Sequence, residues 1–111
     1  MQDQYTLSAG IVKVVSGLVE CAETEPYISA IKAADERVGV DIFAKNEAAQ
    51  RTREHLTTAI KLNLANRKDY PYSLLRRQYN LPVSYGQFTA IKRRYCWEIA
   101  TALNLEKKEP F

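Results

Sequence analysis

The sequence has one histidine, His55, and two cysteines, Cys21 and Cys96, which belong to no C-x-x-C pair. It has no glycine-rich phosphate loop and, within the expected helices, no acidic pair three or four residues apart. Acid–base, nucleophilic and metal-assisted hydrolysis therefore lack their usual parts, and the expectation is a non-catalytic chain without cofactors. His55, beside Arg53 and Glu54, reads as a solvated helix residue. The cysteines argue against a disulfide framework or a metal site and read as buried thiols. Four glycines and four prolines are too few for a turn-rich β-sandwich or a disordered tail. The longest apolar stretch, Leu7 to Ala22, is interrupted by Lys13 and Glu20 and is too short to span a bilayer. Met1-Gln2-Asp3-Gln4 lacks the positive flank of a signal peptide, so a cytoplasmic location is expected.

What remains is one domain of 111 residues, 46% hydrophobic and 26% charged. The formal net charge of +3 conceals a split. Residues 1–50 carry four basic side chains against eight acidic ones, and residues 51–111 carry twelve against five. From Arg67 to Arg94 there are seven basic residues and a single acid, Asp69. Such asymmetry points to a C-terminal part facing a polyanion and an N-terminal scaffold.

Periodicity predicts an all-α fold, a small bundle of about five helices. Residues 1–66 form the scaffold, 67–105 a helix-turn-helix and 106–111 a flexible tail. In the first helix, Thr6 to Ala22, Leu7, Ile11, Val14, Leu18 and Cys21 alternate at spacings of four and three, the seam of an amphipathic helix, and Val12, Val15 and Val19 widen the apolar surface beyond that stripe. The β-branched content leaves a competing hairpin about Ser16-Gly17. Gly10 and Gly17, seven apart on one face, predict a close helix contact, inside the fold or in a homodimer through this helix. Thr24-Glu25-Pro26 reads as a helix start, with Tyr27, Ile31, Ala34 and Val38 on one face and Gly39 as the stop. Val40, Ile42 and Phe43 follow as an apolar connector. Asn46 starts a third helix with Ala49, Thr52 or Arg53, Leu56, Ile60 and Leu64 as its buried stripe.

The C-terminal pair carries most of the signal. Asp69-Tyr70-Pro71 opens a short helix closed by Asn80, and Pro82 blocks its continuation. Ser84-Tyr85-Gly86-Gln87 has the form of a capping box. Phe88, Ile91, Tyr95, Ile99 and Leu103 then make the inner stripe of a last helix. Its other side holds Gly86, Gln87, Thr89, Ala90, Arg93 and Arg94. Gly86 and Ala90 are small enough for close approach, Gln87 and Thr89 can meet base edges, and Arg93 and Arg94 reach phosphate or guanine. Arg67, Lys68, Arg76 and Arg77 are candidates to hold the nucleic-acid backbone, and Tyr85 with Tyr70, Tyr72, Tyr79 and Tyr95 offers stacking faces. Trp97 projects away from the Phe88 stripe, toward the N-terminal helices or an interface.

The stretch Leu74 to Leu105, LLRRQYNLPVSYGQFTAIKRRYCWEIATALNL, resembles the C-terminal part of phage and mobile-element regulators of the ArpU type, which look like region four of sigma factors. Ser84, Phe88, Lys92, Arg93 and Arg94 fill the places of the Ser-led helix, its early aromatic and its basic run. The resemblance implies a DNA-binding transcription regulator, with RNA polymerase or another protein as a further partner. Two other readings stand beside it: a small helical module whose basic face meets an acidic protein, and a binder of RNA or single strands.

Overall fold

The computed structural model describes residues 7–38 and 47–105, with the backbone alone at 47–50. Gly39, the connector through Phe43, Asn46, the Ala49 side chain and the tail at 106–111 lie outside the described residues. Five helices and no strand are present among the described residues: α1 (Ala9–Cys21), α2 (Tyr27–Arg37), α3 (Glu47–Ala65), α4 (Tyr72–Tyr79) and α5 (Tyr85–Ala102). The all-α expectation holds. None of these helices is long and apolar enough to cross a membrane.

The first segment is a helix rather than a hairpin. Ser8 caps α1 by accepting from the Ile11 amide at 3.3 Å, which satisfies one of the amides that a helix start leaves without a partner. The buried seam, however, is rotated from the expected one. Val15 is fully buried, with Leu7, Ile11 and Val19 packed on the core, while Val14 is half exposed and Cys21 is exposed. Two apolar stripes diverge from Leu7 and Ile11, the expected one at spacings of four and three and the buried one through Val15 and Val19 at spacings of four. Gly10 and Gly17 mark no close contact among the described residues, where a Cβ at either would meet nothing within 4 Å.

In α2 the Thr24 cap is not made. Pro26 stands at the N-cap without a side-chain bond, and the Ser29 hydroxyl donates to the Glu25 carboxylate instead. Ala30, Ala34 and Val38 are buried, while Ile31 is only partly covered and Tyr27 is exposed. The buried residues are small, which lets α5 approach, and α2 packs against it. In α3 the stripe of Leu56 and Ile60 is fully buried together with Ala59; Leu64 packs on the same core. Asp69 does not open α4. Its amide and carboxylate both bond the Asn66 side chain, at 3.2 and 2.7 Å, and Pro71 takes the N-cap.

The last helix is the axis of the molecule. It packs against α1 and α2, while α3 packs against α1 and α4. Phe88, Ile91, Tyr95 and Ile99 are buried as the inner stripe requires, and Cys96 and Ala100 widen that stripe toward the C-terminus. Each large side chain removed from water contributes about 1.5–3 kcal/mol. A Schellman closure ends α5: the Leu105 amide reaches the Ala100 carbonyl at 2.7 Å, the Asn104 amide reaches Thr101 at 3.1 Å, and Asn104 has φ 60°.

Candidate nucleic-acid interface

Local chemistry fixes the passage from α4 to α5. Asn80 adopts the left-handed conformation at φ 52°, which asparagine tolerates better than most residues. This lets the Leu81 amide reach the Arg76 carbonyl at 3.1 Å. Leu81 and Val83 then plug the core on either side of Pro82. Tyr72 ties the two helices together: its hydroxyl donates to the Val83 carbonyl, and its ring lies 5.5 Å from Tyr85 and 5.2 Å from Phe88. Ser84 caps α5 with both arms of the expected box. Its Oγ accepts from the Gln87 amide at 3.1 Å, and Gln87 Oε1 accepts from the Ser84 amide at 2.9 Å.

The leading turns of α5 face outward. Tyr85 is 66% exposed, and Gly86, Gln87, Ala90 and Arg93 are exposed as well. Arg76 and Arg77, in the last turn of α4, are exposed, as are Arg67 and Lys68 in the turn after α3. Among these, Arg67 comes close enough to the middle of α5 to act on Lys92. From Tyr70 to Trp97 the sequence has no acidic residue, so nothing on these elements opposes the positive end of the α5 dipole.

Several expected contacts are already committed within the fold. The Gln87 amide oxygen belongs to the cap. The Thr89 hydroxyl donates to the Tyr85 carbonyl at 2.9 Å. Thr89 and Arg93 also line an apolar cleft of about 200 Å³ with Leu7, Val12, Leu64, Lys92 and Cys96, so one edge of the expected reading face adjoins α1. Arg94 lies partly inward, 3.7 Å from Glu98 one turn on, and Glu98 also pairs with Arg37 at 3.0 Å.

Lys92 is half-buried and turned toward α3. Its ammonium donates to Asn63 Oδ1 at 2.7 Å, and Asn63 Nδ2 donates to the Tyr70 carbonyl at 2.9 Å. Burial lowers its pKa against an opposing effect of Cys96, and Arg67 lowers it further. A second network runs from α5 to α2 and α3. The Tyr95 hydroxyl donates to Asp35 at 2.7 Å, and Lys61 reaches the other oxygen of that carboxylate at 2.8 Å. Burial, then Asp35, pushes the Tyr95 phenol well above its ordinary range. Burial also pushes the Cys96 thiol up to about 11.

Asp35, Asn63 and Glu98 are not in the expected set, and Lys92, expected in the basic run, turns toward Asn63 instead. Lys92 was legible, because on the wheel it falls between Phe88 and Cys96, both buried. The others each depend on a partner from a distant helix, which periodicity does not supply.

Elsewhere, a polar cleft of about 520 Å³ between α2 and α3 is lined by Asp35, Glu36, Arg53, Glu54, Thr57, Thr58 and Lys61. His55 is exposed, as expected, with its ring 5.8 Å from that of Tyr79. Among the described residues no group of His, Cys, Asp and Glu is placed to hold a metal ion. Comparison with protein-family models, with characterised proteins and with solved structures gave no match.

Proposed function

We propose that the chain binds duplex DNA through the leading turns of α5 and acts as a transcription regulator of phage or mobile-element type. The observation that carries this reading is the exposed, acid-free start of α5, flanked by exposed Arg76 and Arg77 on α4. A rigid cap holds that end, and Gly86 and Ala90 leave room for a groove wall. In this reading Arg93 and the Nε2 group of Gln87 meet base edges, while Arg67, Lys68, Arg76 and Arg77 meet phosphates. Such a regulator works where the DNA is, in the cytoplasm of its host.

Cations on phosphates release counterions, so the affinity for random duplex DNA falls between about 50 and 200 mM salt, with a log–log slope of about −0.9 per phosphate contact. A gel shift at both concentrations measures it. Absence of binding at low salt, or binding indifferent to salt, would overturn the proposal and favour an acidic protein partner.

A further inference from the structure

Among the described residues, the core covers one of the two apolar stripes on α1. Ile11, Val15 and Val19 face the core, whereas Gly10, Val14, Gly17 and Cys21 occupy a separate strip at spacings of four, three and four. Val14 is 50% exposed there, Cys21 is exposed, and among the described residues a Cβ at either glycine would meet nothing within 4 Å. We propose that a second copy of this chain covers this strip, with α1 packed antiparallel on α1 across a two-fold axis.

Shape and charge select that arrangement. Setting Val14 over Gly17 of the second copy also sets Cys21 over its Gly10, so each projecting side chain meets a position without a Cβ. The only charged residues of α1 are Lys13 and Glu20, which lie close together on one flank of the strip at about 100° per residue. A two-fold axis perpendicular to both helices keeps this flank on the same side of the contact. Lys13 of each copy then reaches Glu20 of the other. In a parallel pair the charged flanks lie on opposite sides and no such pairing forms. One helix pair about 20 Å long buries less than the roughly 800 Å² per partner of a standard interface, so the dimer is weak and depends on concentration.

Sedimentation over a concentration series, joined to mild oxidation, tests the proposal independently of DNA binding. The natural chain moves from monomer to dimer as concentration rises. Gly17→Leu stays monomeric, while its melting in dilute solution does not fall, because a Cβ at this position meets nothing within 4 Å among the described residues. Lys13→Glu weakens the dimer, and adding Glu20→Lys restores it. Gly10→Cys gives a disulfide-linked dimer through Cys21 of the other copy. In the natural chain the two Cys21 residues are offset by about 16 Å along the helices, too far to bridge. A natural chain that is monomeric at every concentration would overturn the proposal. So would a Gly17→Leu dimer, or Cys21 linkage in the natural chain as rapid as in the Gly10→Cys variant.

Discussion

Tyr95 and Cys96 make the core sensitive to alkali. The thiol ionises at 9.0 in an ordinary setting and at about 11 when buried in α5. Between those values the folded chain holds a proton that the unfolded chain has released, so this contribution to stability is complete below pH 9 and is lost as pH rises through about 11. Tyr95 acts in the same direction above pH 10, since its folded pKa is raised from 10.0. Lys92 acts in the opposite direction, because its lowered pKa lets the fold shed a proton before the unfolded chain does. The two upward shifts are the large ones, so the balance is a loss. Denaturant unfolding between pH 8 and pH 11 is expected to show stability falling, with about 2 kcal/mol of the fall due to Cys96. Cys96→Val flattens that part of the profile; an unchanged profile would show that the thiol does not titrate with folding.

At the scale of elements, the start of α5 is the part most completely written in the sequence. Ser84 and Gln87 close the box that their spacing of three requires. Ser84→Ala is expected to cost about 1 kcal/mol. Gln87→Ala costs less, because the Ser84 hydroxyl still accepts from the backbone at position 87. Thermal melting of the two variants gives the order, and equal losses would mean that the Gln87 arm carries as much as the hydroxyl. By contrast, the facing of α1 was not legible. Val12, Val14, Val15 and Val19 leave it apolar on too many sides for period alone to choose a seam, and contacts with α3 and α5 decide. The start of α4 was misread for another reason. Asp69 has the chemistry of a cap, but its amide and carboxylate are both engaged by the Asn66 side chain.

On the scale of the whole molecule, the charge split visible in the sequence was legible only as a sum. Folding sorts it. Lys92 is drawn inward by Asn63, and Arg94 and Arg37 converge on Glu98, which leaves Arg67, Lys68, Arg76, Arg77 and Arg93 as the exposed cations from 67 to 94. That sorting turns the proposed DNA contact into a geometric test. Ala90 is exposed on the outer side of α5, so Ala90→Glu should change stability by less than about 0.5 kcal/mol. Its carboxylate would face the phosphates of a groove wall, and duplex binding should be lost. Arg76→Ala and Arg77→Ala should weaken all duplexes alike and reduce the salt slope by about one contact each. Arg93→Ala should lower discrimination between a preferred site and random DNA by about 1–3 kcal/mol. Competition gel shifts at matched salt separate these outcomes. Equal losses from all four variants would describe a diffuse basic surface, and tight binding retained by Ala90→Glu would remove α5 from the groove altogether.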